Sequence, residues 1–133
     1  MEECLLGGPV DSAASVLSVS ANVPTLIALK LAHSKRVSGV AVCNDEGVFV
    51  RGLSPNDITC VAALRALNIP AGAFPFESTA GRPVIRPTDT LLTVCKCAAG
   101  TGAHRLYVLD DEEHVQSVMS LTDVVRCVLQ YFV

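Results

Sequence analysis

Residues 42–57 of the chain read VCNDEGVFVRGLSPND, and residues 108–123 read VLDDEEHVQSVMSLTD. At a constant offset of 66 positions, five residues of the first stretch recur in the second: Val42, Asp45, Glu46, Ser54 and Asp57 return as Val108, Asp111, Glu112, Ser120 and Asp123. Leu26 and Leu92, and Ala32 and Ala98, extend the same register towards the N terminus. An ungapped repeat of this kind indicates two copies of one structural unit.

Each copy contains the same order of apolar runs, turn signals and helix starts. Copy one is predicted to contain a strand at 16–19, a helix from Thr25, a strand at 40–43, an acidic turn at 44–47, a strand at 48–50 and a helix at 55–67. Copy two is predicted to contain a strand at 84–86, a helix at 88–99, a strand at 105–109, an acidic turn at 110–113, a strand at 115–119 and a helix from Ser120 to Tyr131. Both copies therefore read β-α-β-β-α, an α/β (α+β) class.

The predicted domain organisation follows from this repeat. A leader covers residues 1–15, copy one 16–68, a Gly- and Pro-rich linker 69–82, and copy two 83–133. Neither copy is long enough to bury much surface alone, so we expect the two to pack on each other. The last helix of each copy is apolar on more than one face, which predicts two neighbours for that helix.

Composition limits the class of protein. The 133 residues are 50% hydrophobic and 17% charged, and the net charge is −3, while the mean hydropathy is +0.46. This balance predicts apolar surface that faces a partner, and it argues against nucleic acid as that partner. The acidic start Met1-Glu2-Glu3-Cys4 and the lack of a long uncharged apolar run predict a soluble, cytoplasmic protein without a membrane span.

The reactive side chains do not form a recognised catalytic or metal-binding motif. Six cysteines are present, and the pair Cys95 and Cys97 has only one residue between its thiols, unlike zinc clusters. Small apolar side chains in a reducing compartment are the preferred interpretation, with thiol-based redox or metal sensing as an alternative. The Gly100-Thr101-Gly102 stretch lacks the Gly-Lys of a phosphate-transfer loop. We therefore expect neither an enzyme nor a metal site.

The repeat order, the acidic hairpin turn and the Ser-x-x-Asp helix start resemble the CBS (cystathionine β-synthase) domain, a tandem pair of which is a Bateman module. The resemblance extends from about Val16 to the C terminus. It is most specific at 103–110, AHRLYVLD, and at 118–125, VMSLTDVV. These segments are similar to the last repeat of the AMP-activated protein kinase gamma subunit and its sucrose-non-fermenting relatives, and 36–42, RVSGVAV, is similar to the preceding repeat.

The chain departs from the family pattern in the strands of both copies. Ala41 and Tyr107 stand where family copies usually carry Pro, and Arg51 and Ser117 stand where they usually carry Gly.

For copy two, the resemblance implies an adenine nucleotide (AMP, ADP or ATP) in a cleft between the copies. Asp123 would accept hydrogen bonds from a ribose diol, and Ser120 would donate to phosphate beside a helix N terminus. Arg105 and His104 would add cationic donors for phosphate, while Ala103 would line adenine. The alternative for Ser120 and Asp123 is helix capping alone, and for Arg105 an exposed edge charge or a carboxylate partner.

For copy one, the resemblance implies equivalent roles for Ser54 and Asp57, adenine contacts from Val37 and Ser38, and a nucleotide contact from Ser12. Ser38 and Gly39 occupy the positions of His104 and Arg105, so copy one lacks both cationic donors. We therefore expect one stronger nucleotide site and one weak or empty site. Arg82 and Arg86 are either a further phosphate contact or exposed linker charge.

Two functions of different class follow. The first is a regulatory ligand-binding module that senses an adenine nucleotide and modulates a partner such as a kinase. The second is a dimerisation or interaction scaffold, associating through its apolar helices, with degenerate sites. The missing cations of copy one and the substituted Pro and Gly favour the second function. We prefer the first, because His104, Arg105, Ser120 and Asp123 form a complete set in copy two.

Overall fold

The computed structural model describes residues 16–132. These residues form two compact units, which we call the first unit, Leu17–Ser78, and the second unit, from Thr79 onward. Within residues 16–132, no helix is both long enough and apolar enough to cross a bilayer.

The first unit contains one three-stranded sheet with short helices. Its elements are β1 (Ser18–Ser20), α1 (Thr25–Ser34), β2 (Val40–Cys43), β3 (Phe49–Leu53), a 3-10 helix (Pro55–Asp57), α2 (Val61–Arg65) and a second 3-10 helix (Ala71–Ala73). The strand order is β1-β2-β3, with β1 parallel and β3 antiparallel to β2. The second 3-10 helix lies against the end of β1: the Gly72 amide donates to the Ala21 carbonyl at 3.0 Å, and a Cβ at Gly72 would lie 2.6 Å from the Ala21 Cβ.

The second unit repeats this arrangement with longer helices. Its elements are β4 (Val84–Ile85), α3 (Leu91–Thr101), β5 (Arg105–Leu109), β6 (Val115–Ser120) and α4 (Leu121–Tyr131). The sheet order is β4-β5-β6, again with one parallel and one antiparallel pairing. The α+β class and the β-α-β-β-α order predicted for each copy are confirmed.

Strand register reproduces the 66-residue offset of the sequence. Val19 pairs with Val42, and Ile85 pairs with Val108. Each antiparallel pair also contains a β-bulge at the same place, between Val42 and Cys43 in one unit and between Val108 and Leu109 in the other. Because a bulge is a local departure from regular pairing, its recurrence shows that the repeat extends to details of the backbone.

The left-handed backbone positions recur in the same way. Arg36 (φ 57°) and Gly102 (φ 65°) end α1 and α3, and Gly47 (φ 81°) and Glu113 (φ 66°) end the two hairpin turns. At each pair of positions, one unit has Gly and the other a residue with a Cβ, for which this conformation is unfavourable. Each unit therefore carries one strained position that its counterpart avoids.

The hairpin turns are closed by the first residue of each turn. The Asn44 Oδ1 accepts from the amides of Glu46 and Val48 at 2.9 and 3.0 Å. The Asp110 Oδ1 accepts from the amides of Glu112 and His114 at 2.8 and 2.9 Å. The His114 amide, followed by the Glu112 amide, lowers the pKa of the Asp110 carboxyl.

The helix predicted at 55–67 was wrong as one continuous element. The backbone forms the 3-10 helix Pro55–Asp57, leaves helical geometry at Ile58 (ψ 80°) and Cys60 (φ −162°, ψ 173°), and re-forms a helix only over Val61–Arg65. Ile58 and Thr59 are β-branched, which lowers helix propensity. Asp57, moreover, is held by side chains outside the helix. The predicted helix at 88–99 begins later than expected, at Leu91 after the N-cap Thr90.

Each unit has its own apolar core. In the first unit the core contains Val19, Ala28, Ala32, Val40, Val42, Leu53, Ala63, Ala71 and Phe74. In the second unit it contains Ile85, Leu91, Val94, Ala103, Leu106, Val108, Met119, Val124 and Cys127. These cores hold β3 and β6 in place. Ser54 and Asp57 follow β3, while Ser120 is the last residue of β6 and Asp123 follows it.

Candidate functional site

The start of α4 is built by a reciprocal capping arrangement. The Ser120 Oγ accepts from the Asp123 amide at 3.1 Å, and the Asp123 Oδ2 accepts from the Ser120 amide at 3.0 Å. This capping box satisfies two backbone donors that an α-helix leaves unpaired at its N terminus. The Ser120 hydroxyl acts as an acceptor here, so its own proton remains able to point to another acceptor.

Strand β5 brings the two predicted cationic residues to this helix start. Arg105 lies opposite Ser120 in the β5–β6 register. The His104 carbonyl accepts from the Leu121 amide at 2.9 Å. The structure therefore places His104, Arg105, Ser120 and Asp123 together within the second unit. Ala103, predicted to line adenine, is buried in the core of that unit.

This part of the second unit is open to solvent. His104 is exposed, and Arg105 and Ser120 are half-buried. The Asp123 side chain is 22% exposed, and its Oδ1 lies 3.3 Å from the exposed Arg126 guanidinium. The N terminus of the 11-residue helix α4 favours an anion. The Asp123 carboxylate can accept hydrogen bonds from hydroxyl groups. The arrangement suits a ligand that carries both phosphate and a diol.

The corresponding carboxylate of the first unit has a different environment. Asp57 is 5% exposed. Its Oδ2 accepts from the Ser54 amide at 2.9 Å and lies 3.3 Å from Nη2 of Arg51. Its Oδ1 accepts from the amide and the hydroxyl of Ser78 at 2.8 and 3.1 Å. A carboxylate offers about four lone-pair sites, and these contacts direct four donor groups at the Asp57 carboxylate.

Arg51 holds this environment together. The guanidinium is 8% exposed and donates to the carbonyls of Gly52, Phe74 and Phe76 at 2.9, 2.6 and 3.0 Å. It also lies 5.7 Å from the centre of the Phe74 ring. The guanidinium therefore links β3 to the 3-10 helix Pro55–Asp57 and to the segment Phe74–Ser78.

Of the remaining copy-one residues, Val37 and Ser38 lie between α1 and β2. The Val37 amide donates to the Ala32 carbonyl at 3.0 Å, as part of the end of α1. Ser38 is exposed just before β2. Ser12 lies outside the described residues. The nucleotide roles of these three residues stay predictions.

Sequence reasoning missed the roles of Arg51 and Ser78. Strand β3 alternates in its burial, with Phe49, Arg51 and Leu53 on the buried face. A charged residue at the centre of a buried strand face requires a hydrogen-bonded partner, so the alternation alone was a signal for a buried ion pair. No comparable sequence pattern identifies Ser78, because it follows an irregular segment.

The two linker arginines have different environments. Arg86 donates to the Asp110 carbonyl and to Oε1 of Glu113, both at 2.8 Å. The hydrogen bond between Arg86 and Glu113 raises the pKa of Arg86 and lowers the pKa of Glu113. Arg86 therefore supports the hairpin turn of the second unit, where Glu113 adopts its left-handed conformation. Arg82 is exposed.

The cysteines of residues 16–132 are free thiols, namely Cys43, Cys60, Cys95, Cys97 and Cys127. Burial raises the pKa of the Cys43 and Cys97 thiols, which makes their thiolates less populated. Over the same residues, no group of three or more metal-ligating side chains comes together. Cys4 lies outside the described part of the chain.

Comparisons by sequence find no relative: no family model and no curated protein matches the chain. Solved structures with the same fold are numerous. The CBSX2 protein in complex with AMP superposes with a TM-score of 0.76 at 21% identity, covering 98% of this chain and 99% of that one. CBSX2 from Arabidopsis thaliana, a CBS-pair protein, matches with a TM-score of 0.74 at 22% identity over 97% of this chain and 96% of that one.

A third solved structure has the same fold. A CBS domain pair/ACT domain protein from Thermotoga maritima has a TM-score of 0.74 at 13% identity, covering 97% of this chain and 99% of that one. These likenesses extend over nearly the full length of both partners in each comparison. The finer resemblance to the kinase gamma subunit stays a prediction. The internal repeat, the duplicated register and these superpositions agree: the chain has the fold of a tandem CBS domain pair.

Proposed function

We propose that this chain is a non-catalytic regulatory module that binds an adenine nucleotide at the start of α4 and thereby changes how it associates with a partner protein. The observation that carries the proposal is the placement of His104, Arg105, Ser120 and Asp123 around one helix N terminus. The AMP complex of CBSX2, a protein with the same fold, supports the choice of ligand.

Each residue has a role that suits its chemistry. The planar guanidinium of Arg105 and the N terminus of α4 attract phosphate, and His104 supplies a further hydrogen-bond donor. Ser120 donates its hydroxyl proton to a phosphate oxygen while it caps the helix. Asp123 accepts from the ribose hydroxyls through Oδ1, the oxygen that now faces the exposed Arg126.

Regulation requires that the nucleotide bind two states of the protein with different affinity. AMP, ADP and ATP differ in phosphate charge, so a site built from Arg105, His104 and a helix N terminus distinguishes them by electrostatics. A partner that contacts only one of the two states would then respond to the ratio of these nucleotides. We propose a kinase-type partner, following the resemblance of 103–110 to the kinase gamma subunit.

Isothermal titration of the purified chain with AMP, ADP and ATP tests the proposal. We expect Asp123→Asn to weaken binding by about tenfold to 100-fold, because hydrogen bonds to a charged group contribute about 1.5–3 kcal/mol. Asn at this position retains an oxygen for the Ser120 amide, so the helix cap survives. Asp111→Asn is the matched control, since it removes the same charge from an exposed position in the hairpin turn.

Two results would reject nucleotide sensing. One is the absence of heat and of a thermal shift at millimolar nucleotide. The other is equal affinity of the Asp123→Asn variant and the wild-type protein. In either case the scaffold function would remain.

An exposed apolar stripe on α4 favours that second candidate function, a dimerisation or interaction scaffold. Leu121, Val125 and Leu129 recur every four residues and are 41%, 50% and 60% exposed, and Phe132 beyond the helix is 71% exposed. Contiguous exposed apolar residues are typical of association surfaces. We expect Val125→Glu to shift a self-associating chain towards monomer in sedimentation equilibrium. Asp111→Asn again serves as the surface control.

A further inference from the structure

The segment Phe74–Ser78 donates hydrogen bonds to Asp57, the residue of the first unit that corresponds to Asp123. The amide and the hydroxyl of Ser78 both bond to Oδ1 of Asp57, at 2.8 and 3.1 Å. In the second unit the corresponding oxygen, Oδ1 of Asp123, lies 3.3 Å from the guanidinium of the exposed Arg126. The two carboxylates thus share a place in the repeat but differ in their capacity to accept a ligand.

The Arg51 side chain fixes the segment Phe74–Ser78 in this position by bonding to the backbone of the segment. The guanidinium donates to the carbonyls of Phe74 and Phe76, and it also contacts Oδ2 of Asp57. The Phe74 ring is buried in the core of the first unit and lies 5.4 Å from the Phe76 ring. The segment is therefore anchored at its apolar start by packing, along its length by Arg51, and at its end by Asp57.

The residue at the position of Arg51 in the second unit is Ser117, which is also buried. Both residues lie opposite the bulge valine of the neighbouring strand, Val42 or Val108. A serine side chain is too short to reach a carboxylate and two carbonyls at once. The second unit therefore has no equivalent of the Arg51 anchor at this position.

We propose that Phe74–Ser78 is a built-in strap that permanently closes the first unit to ligand, with Arg51 as its anchor. The donors of Ser78 and Arg51 take the place of ligand hydroxyl groups on Asp57. This inference rests in part on the proposed function, because it assigns nucleotide to the second unit alone, with one nucleotide per chain. It also makes the Asp57 cluster a structural element.

Amide hydrogen exchange measured by NMR tests the strap without any ligand. Ser78 is an exposed residue, yet we expect its amide to exchange slowly because the N–H is bonded to Asp57. In Arg51→Met, we expect Ser78 protection to fall by at least about tenfold. The Ser120 amide, bonded to Asp123, is the internal control and should keep its protection. Fast exchange of Ser78 in the wild-type protein would overturn the proposal.

A milder variant covers the case in which Arg51→Met does not fold. Arg51→Lys keeps the positive charge but loses the planar fork that spans two carbonyls and a carboxylate. We expect an intermediate loss of Ser78 protection. Unchanged Ser78 protection in a folded Arg51→Lys protein would show that Arg51 is not the anchor.

Titration of the wild-type chain with AMP tests the assignment of the ligand. We expect one equivalent to bind, with shifts at the Ser120 and Asp123 amides and none at the Asp57 and Ser78 amides. We also expect Ser78→Ala to bind AMP with unchanged affinity. Two equivalents, or faster exchange of Ser78 on addition of AMP, would overturn the strap. If AMP does not bind at all, the proposed function fails, while the exchange of Ser78 still decides whether the strap exists.

Discussion

Two arginine–aspartate pairs have the same separation but differ strongly in burial. Arg51 and Asp57 are 3.3 Å apart with side chains 8% and 7% exposed. Arg126 and Asp123 are also 3.3 Å apart, but their side chains are 62% and 22% exposed. Replacing each arginine by methionine removes the charge and keeps a long side chain. The comparison of Arg51→Met with Arg126→Met therefore measures what burial, together with the carbonyl hydrogen bonds of Arg51, adds to the pair.

The expected magnitudes differ by several kcal/mol. Removing one partner of a buried ion pair costs about 3–5 kcal/mol, because the remaining charge is left without compensation. Arg51→Met also leaves the buried carbonyl of Phe74 without its donor. An exposed pair three residues apart on a helix contributes about 0.5 kcal/mol or less. We therefore expect Arg51→Met to lower the free energy of unfolding by about 3–5 kcal/mol and Arg126→Met by about 0.5 kcal/mol.

Urea denaturation followed by far-UV circular dichroism measures both differences, since the chain has no Trp to report on the core. If the two units unfold in separate transitions, the effect of Arg51→Met belongs to the unit that contains Leu17–Ser78. A difference between the two variants of less than about 1 kcal/mol would refute the reasoning, because it would mean that neither burial nor the carbonyl bonds of Arg51 increase the contribution of the pair.

Two further predictions use one unit as the template for the other. Arg36→Gly should stabilise the protein by about 0.5–1 kcal/mol in thermal or urea unfolding, because Gly102 shows that this helix end accepts glycine and a Cβ is unfavourable there. Arg36→Ala keeps the backbone strain and should give no gain in stability. Equal gains from both variants would assign the effect to the lost charge. Asp110→Asn should keep the turn closed, as Asn44 does, but remove its titration. Since the pKa of Asp110 is lowered on folding, its stabilisation is present above the ordinary carboxyl value of 3.8 and is lost as pH falls below it. The stability difference between wild type and Asp110→Asn should therefore shrink on acidification, and a difference independent of pH would contradict this.

The sequence predicted the features that repeat. A constant offset is visible in identities such as Ser54 and Ser120, and local signals identify β2, β5 and both hairpin turns. The placement of His104 and Arg105 beside the α4 start also follows from this pattern, because one residue precedes β5 and the other begins it. These features depend on short-range preferences that the two copies share.

The features that distinguish the two units were harder to predict. The helix breaks after Asp57, whose carboxylate accepts from Ser78, 21 residues away, and no periodicity in 55–67 reports a contact of that range. Arg51 departs from the family's glycine in the sequence, but its partners are backbone carbonyls of an irregular segment. Backbone carbonyls are available at every residue, so the sequence does not indicate which of them a buried guanidinium will reach.

The β-bulges have a consequence for association between chains. They insert Val50 and Gln116 as extra, exposed residues in β3 and β6, which are edge strands of their sheets. An edge strand with regular spacing offers unpaired backbone groups to a strand from another molecule, whereas a bulge interrupts that template. In a chain with a mean hydropathy of +0.46, this interruption disfavours edge-to-edge pairing at β3 and β6.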